Sequence, residues 1–401
     1  MLKGRMIQGC RAIAEAVTLC RPRVISAYPI TPQTLIVEEL ASMVAEGELQ
    51  AEFINVEGEH SAASLVLGSS AVGVRVFTAT SSQGLLYMGE VVFNIAGMRL
   101  PIVMINANRA ISAPLNIWND QQDSISMRDS GWIQLYAENN QEACDLVFQA
   151  YRIAEDHRVM LPVMVCVDGF VLPHAFEVVD LPSQKEVDAY LPPYQPIYKL
   201  DPDNPLTMGA FAEPDKYMET RYMIQRTMET SIPIIEGVAQ EFKRTFGRTA
   251  GGLFEKYRVE DASTVVVALG SMAGTIKDVV DDLRNKGQKV GVLRLITYRP
   301  LPQEALYEAL KGAQNIVVIE KALSLGGSAP LAVELRSVFY GRPASPRISG
   351  FVIGLGGRDV TVDDLKYAIE KAQQQFIDME FIGLRTDLEL EGINALVSKR
   401  A

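Results

Sequence analysis

Residues 263–295 read STVVVALGSMAGTIKDVVDDLRNKGQKVGVLRL. The opening STVVVALG is an almost continuous β-branched run ending in glycine, as in a strand buried on both faces. AGTIKDVVDDLRNKG follows as an amphipathic helix, and QKVGVLRL is a second apolar strand. Strand, helix and strand in that order predict a parallel pair joined by a crossover. The pattern continues outward. NIVVIEK (315–321) reads as a strand, GSAPLAVELRSVF (327–339) as a helix, and RISGFVIGL (347–355) as a last strand before a helix at 362–375. Upstream, short apolar runs at 24–28, 51–56, 75–79, 101–106 and 161–167 alternate with helical patterns at about 7–20, 32–45, 58–72, 82–97 and 141–156. Six prolines between 192 and 214 mark an extended connector, and a helical stretch over 216–246 is interrupted at Ser231–Pro233. The expected architecture is α/β, with two doubly wound domains: 1–190, a Pro-rich connector and helix over 191–258, and 259–401.

Composition narrows the function. The 401 residues carry 38 Lys and Arg against 49 Asp and Glu, a net charge of -11, which argues against a nucleic-acid or anionic-membrane binder. No apolar run approaches the roughly 18 residues that cross a bilayer. The N-terminal MLKGRMIQGCRAIAEAV has Glu15 in its apolar stretch and reads as a helix, not a signal peptide. Cys10, Cys20, Cys144 and Cys166 form no C-x-x-C pair and fit no iron–sulfur spacing, and His60, His157 and His174 are the only histidines. The chain reads as cytoplasmic and without a metal of its own.

Several motifs are ordinary. ALGSMAG (268–274) and IGLGGRD (353–359) lack the dinucleotide fingerprint and a Walker lysine, and both read as tight structural turns. LGSSAVG does not fit a nucleophile elbow.

Three segments at strand ends are more telling. NRAISAPLNIWNDQQDSISMRDSGW (108–132) is a long polar stretch following the strand PIVMIN, at the edge where open α/β sheets bind ligands. Arg109 at its start can bind a small carboxylate with two parallel hydrogen bonds, or can be a surface arginine paired with Asp120 or Asp123. SAYPITPQT (26–34) fixes the backbone around Thr31 with two prolines, as a ligand-holding turn or a sharp helix cap. INVEGEHSAASLVLGSSAVG (54–73) places Glu57 and Glu59 at the start of a helix rich in small residues. These carboxylates can complement the helix dipole, or one can sit in a dry cleft.

Together YPITP, VEGEHSAASLVLGSSAVG, FTATSSQGLLYM (77–88) and NRAISAPLNIWNDQQD resemble the α subunit of pyruvate:ferredoxin oxidoreductases. The likeness continues through YRVEDA, VALGSMAGTIKD, VGVLRLITYRPLP and GLGGRDVT and covers essentially the whole chain. It implies an N-terminal thiamine-diphosphate-binding domain of the pyrimidine type and a C-terminal transketolase C-terminal-like domain. It further implies oxidative decarboxylation of pyruvate, with coenzyme A receiving the acetyl group and electrons passing to ferredoxin, reversible toward pyruvate synthesis.

The resemblance also implies a division of labour. A partner β subunit holds the diphosphate, Mg²⁺ and a proximal 4Fe–4S cluster. A γ subunit and a ferredoxin-like δ subunit complete the protomer, which is expected to dimerise. Carried over by position, Glu59 pairs with N1′ of the aminopyrimidine, favouring the imino tautomer that removes the thiazolium proton. Glu57 is the alternative by a two-residue slip. Thr31 contacts the keto acid, Arg109 pairs with its carboxylate, and Tyr28 and Pro29 line the cofactor pocket. Thr31 favours an oxoacid with a neutral side chain, whereas an arginine there suits a more charged one such as oxalate. The alternatives to pyruvate are 2-oxoglutarate, a branched-chain 2-oxoacid or oxalate.

Overall fold

A computed structural model describes residues 4–387, so the first three and last fourteen residues of the expected domains lie outside the described residues. Two sheets organise the chain. The first has seven strands in the order Thr297–Arg299, Ile133–Tyr136, Val163–Asp168, Val103–Asn108, Val76–Thr80, Val24–Ser26, Glu52–Ile54. All neighbours are parallel except Thr297–Arg299, which runs antiparallel to Ile133–Tyr136. Val76–Thr80, Val103–Asn108 and Val163–Asp168 are buried at every residue. Helices cover both faces, so these strands have no solvent side to make polar. The second sheet runs Glu380–Phe381, Arg347–Val352, Asn315–Glu320, Thr264–Leu269, Val290–Leu295, Phe254–Tyr257, parallel but for the last pair.

The segment 263–295 folds as its spacing predicts. Helix Met272–Asn285 lies between strands Thr264–Leu269 and Val290–Leu295, and Ile276, Val279, Val280 and Leu283 face the core with Val266, Ala268 and Val292.

Four details depart from the sequence reading. Phe254–Tyr257, inside the stretch read as connector and helix, pairs with Val290–Leu295 as an antiparallel edge strand. Thr297–Arg299 leaves the second half of the chain to close the first sheet. Both strands are too short to show a period, and Pro300 and Pro302 mask the second. Helix Pro214–Phe246 runs unbroken through Pro233, because Ile224, Met228, Ile235, Val238 and Phe242 bury one continuous face against the first domain. That face outweighs the one N–H that Pro233 cannot donate. Finally, the long 108–132 segment is not wholly irregular, since Gln122–Ser126 is a short helix.

The parallel register brings the ends of the strands at Ser26, Thr80, Asn108 and Asp168 to one edge of the first sheet. All three segments singled out in the sequence leave from or beside that edge.

Candidate active site

The YPITP turn is fastened from below. Gln33 is fully buried, and its Nε2 donates to Tyr28 O at 2.8 Å and to Ala79 O at 3.3 Å, tying the turn to the neighbouring strand. Ser26 Oγ donates to Ile54 O on the other side. Thr31 is left exposed at the tip, with Tyr28 and Pro29 on the rim.

The two glutamates part company at the start of the next helix. Glu59 opens helix Glu59–Ala71, is 9% exposed, and makes no hydrogen bond or ion pair with the described residues. Its carboxylate fills room that a glycine leaves. A Cβ on Gly84 would stand 2.8 Å from Glu59 Oε1 and would also collide with Thr80 Oγ1. Thr80 Oγ1, Ser81 Oγ and Gln83 Nε2, in the adjoining turn, are buried without a partner among the described residues. Glu57 is exposed and accepts from Ser61 Oγ at 2.5 Å, a bond that lowers its pKa.

Arg109 is 5% exposed, and burial lowers its pKa. Its Nε donates to Asn116 O at 3.0 Å and its Nη1 to Thr31 O at 2.9 Å. Three of its five N–H donors have no acceptor among the described residues. The guanidinium therefore pairs with neither Asp120 nor Asp123, the partners a surface arginine would take. Asp120 instead accepts from Gln122 and from Gly356 N.

Asp123 serves a different purpose. It is fully buried and accepts five N–H donors: Ser82 N, Asn106 Nδ2 and Arg109 N on Oδ2, Asn108 Nδ2 and Ser124 N on Oδ1. Burial raises its pKa to about 6 against the pull of those donors. One carboxylate thus joins the strand end at Asn106–Asn108, the backbone of Arg109 and the turn at Ser82, which it helps hold at φ +49°.

The second domain closes the back of the site. Asp168 accepts from Ser271 N, Ser271 Oγ and Gln121 Nε2, with Lys321 Nζ at 3.5 Å. Burial works to raise the Asp168 pKa, but Lys321, Ser271 and Gln121 outweigh it and hold the carboxyl below its ordinary range.

Comparison with known proteins fits this geometry. Residues 15–240 match the family described as "Pyruvate flavodoxin/ferredoxin oxidoreductase, thiamine diP-bdg", and residues 262–365 match "Pyruvate:ferredoxin oxidoreductase core domain II". The chain belongs to the pyruvate:ferredoxin oxidoreductase family. It is 49% identical over 385 residues to pyruvate synthase subunit PorA of Methanothermobacter thermautotrophicus, covering 96% of this chain and 99% of that one. It is 44% identical over 367 residues to ketoisovalerate oxidoreductase subunit VorA of Pyrococcus abyssi, covering 91% and 92%. Among solved structures, a 2-oxoglutarate:ferredoxin oxidoreductase from Magnetococcus marinus superposes with a TM-score of 0.67 at 18% identity, over 93% of this chain. This chain spans 65% of that one, and the likeness carries the fold alone.

The residues present suit the cofactor of a pyruvate:ferredoxin oxidoreductase. A carboxyl with no hydrogen bond or ion pair among the described residues, set in a slot that only glycine leaves open, has the chemistry to share a proton with an aminopyrimidine ring nitrogen. The buried hydroxyls of Thr80 and Ser81 and the amide of Gln83 add polar atoms still lacking partners. The structure joins Thr31 to Arg109 directly, and sets Glu59 beside Thr80 and Gly84. Tyr28 contributes its backbone carbonyl to the scaffold. Sequence reasoning missed Gln33, Gly84 and the purpose of Asp123. Gly84 had a signal, a glycine in a first helical turn, where propensity disfavours it. Gln33 and Asp123 had none, since neither the tie from Gln33 to Ala79 nor the convergence of Ser82, Asn106 and Asn108 on Asp123 follows a local repeat.

Proposed function

We infer that this chain is the α subunit of a pyruvate:ferredoxin oxidoreductase, or pyruvate synthase. The complex converts pyruvate and coenzyme A to acetyl-CoA and CO₂, and two electrons reduce ferredoxin in single steps; run backwards, it makes pyruvate. The observation that carries the substrate reading is the guanidinium of Arg109, anchored on Thr31 O with donors to spare. Near-full-length identity with a pyruvate synthase subunit supports pyruvate as the oxoacid. The ketoisovalerate relative favours a second reading, a branched-chain 2-oxoacid, on the same residues.

Within this reading residues 1–190 form the thiamine diphosphate pyrimidine-binding domain, 191–258 the connector and helix, and 259–401 the transketolase C-terminal-like domain. Thiamine diphosphate, when bound, supplies a carbon nucleophile for the 2-oxo group and an electron sink for the pair released with CO₂. This chain holds the pyrimidine half. Glu59 shares a proton with the ring nitrogen at N1′, and Tyr28 and Pro29 line the pocket. Arg109 binds the carboxylate through its free donors and fixes the oxoacid's orientation, while Thr31 faces the keto end. Burial of Arg109 strengthens that pairing by excluding competing water.

The cofactor's diphosphate, Mg²⁺ and the iron–sulfur clusters belong to partner chains in this reading: a β subunit, a γ subunit and a ferredoxin-like δ subunit, in a dimer of heteromeric protomers. Among the described residues no three or more His, Cys, Asp or Glu side chains are grouped so that they could hold a metal ion. No described helix is long and apolar enough to span a membrane, and the proposed location of the complex is the cytoplasm.

The deciding experiment is a substrate panel on the natively purified complex, read as methyl-viologen reduction dependent on coenzyme A. Pyruvate should have the highest kcat/KM. A preference for 2-oxoisovalerate would select the second reading, and thiamine-loaded complex inactive with every 2-oxoacid would sink both.

A further inference from the structure

The turn Ile353–Asp359 of the second domain reads in sequence as a structural turn, yet in the fold it grips the loop that carries Arg109. Asn116 Nδ2 donates to Gly356 O at 3.0 Å, Gly356 N donates to Asp120 Oδ2 at 3.1 Å, and Gly357 N donates to Asn119 O at 2.7 Å. Gln121 N donates to Lys321 O at 2.8 Å. Four bonds therefore run from residues 116–121 to the second domain. The approach is close enough to demand glycine twice over. Gly356 and Gly357 have φ of +60° and +80°, and a Cβ on Gly356 would stand 2.6 Å from Asn116 Nδ2. A Cβ on Gly357 would overlap that of Trp118.

The gripped residue also holds the arginine. Asn116 O accepts Arg109 Nε at 3.0 Å, and Asn116 Oδ1 accepts Trp118 N at 2.7 Å. Ala110 N donates to Trp118 O at 3.0 Å, which closes the loop on itself. Every polar atom of the Asn116 side chain and its carbonyl thus has a job in one chain of contacts: Gly356, Asn116, Arg109, Thr31.

We propose that Asn116 is a positioning residue through which the glycine turn of the second domain sets the guanidinium of Arg109 for the substrate carboxylate. The inference rests on the reading of Arg109 as the carboxylate's partner. A guanidinium held at Nε and Nη1 is aimed, and its remaining edge is presented without the rotamer entropy a free arginine would lose. The second domain thereby acts in oxoacid recognition through a clasp on the loop.

The test uses the assembled complex with Asn116→Asp and Gly356→Ala. Asn116→Asp keeps the acceptor for Trp118 N and removes the donor to Gly356 O. Gly356→Ala pushes on Asn116 from the other domain. Each should raise the pyruvate KM about tenfold, leave kcat within about threefold and leave the coenzyme A KM unchanged. Equilibrium dialysis of labelled oxamate, a carboxylate that cannot turn over, should weaken by the same factor. Added to Arg109→Ala, either substitution should cost less than about twofold more, because both act through one group. A pyruvate KM within about twofold of the parent, in complexes where Arg109→Ala raises it, would overturn the clasp alone. Multiplying penalties in the double variants would do the same. An unchanged KM in Arg109→Ala would sink the carboxylate reading and the clasp with it. If Gly356→Ala does not assemble, Asn116→Asp decides.

Discussion

The slot of Glu59 and the loop of Arg109 lie on the same sheet edge but are built on opposite plans. Glu59 is positioned locally, by the first turn of its own helix and by the room at Gly84, and its carboxylate is left without protein partners. Arg109 is positioned from a distance: Asp123 holds its backbone, Asn116 and Thr31 hold its side chain, and the second domain holds Asn116. In the roles proposed for them, the group that exchanges a proton is kept free of competing bonds, whereas the group that aims is bound on the edges it does not use. The first plan spends little stability on the site, and the second ties recognition to the whole fold.

The largest expected effect breaks the first side of this comparison. Glu59→Gln should lower the rate of thiamine C2 proton exchange in the assembled complex by about 100-fold or more, since general acid–base groups contribute about that much. Thermal stability should barely move, because no protein hydrogen bond is lost. Exchange by NMR and a melting curve check both halves; a large drop in melting temperature with normal exchange would make Glu59 a structural residue.

Arg109→Ala tests the second side. A desolvated guanidinium–carboxylate pair is worth about 2–4 kcal/mol, so the pyruvate KM should rise by about two orders of magnitude with a smaller loss in kcat. Steady-state kinetics against pyruvate and coenzyme A separate this from general damage, which would move both KM values.

Asp123 comes next, because it supports the loop without touching substrate. Asp123→Ala leaves five buried donors unsatisfied and should cost about 3–5 kcal/mol of stability, read from denaturant unfolding. Its titration has a definite sign. The folded chain holds this proton up to about pH 6, and the unfolded chain releases it near the ordinary aspartate value of 3.8. The folded state therefore binds more protons, and this group's contribution favours the fold in acid and is lost as pH rises from about 4 to about 6. Function runs the other way, since only the ionised carboxylate accepts all five donors. The pyruvate KM should rise as pH falls below about 6, and a flat KM across that range would detach Asp123 from Arg109.

The two plans also explain how far the sequence could be read. The parallel α/β architecture was legible because fully buried strands such as Val103–Asn108 leave continuous apolar runs, and amphipathic helices such as Met272–Asn285 leave a period. Glu59 and Thr31 sit within a few residues of the features that mark them, a helix start and a pair of prolines. Arg109 could be placed at a strand end, but its freedom from Asp120 and Asp123 could not be read. That freedom depends on Gly356 taking Asp120 and on Asn106 and Asn108 turning Asp123 inward. The first contact crosses more than two hundred residues and the others close a loop without a repeat, so none leaves a local pattern. The strand Thr297–Arg299 was lost for the same reason, its partner lying in the other half of the chain.

The smallest predicted effect sharpens the choice between the glutamates. Glu57 lies before the cap of helix Glu59–Ala71 and Glu59 is its first residue, and the two side chains meet different surroundings. Glu57 is exposed and holds Ser61 Oγ, while Glu59 lies in the slot beside Thr80 and Gly84. Glu57→Gln keeps an acceptor for Ser61 and removes a solvated charge, so C2 exchange and kcat should stay within about twofold and stability within about 0.5 kcal/mol. Measured alongside Glu59→Gln, this gives a direct comparison of equal chemistry at two positions. A loss of exchange in the Glu57 variant with the Glu59 variant unaffected would transfer the proton-holding role to Glu57, and the local plan would then rest on an exposed carboxylate that the cofactor itself must cover.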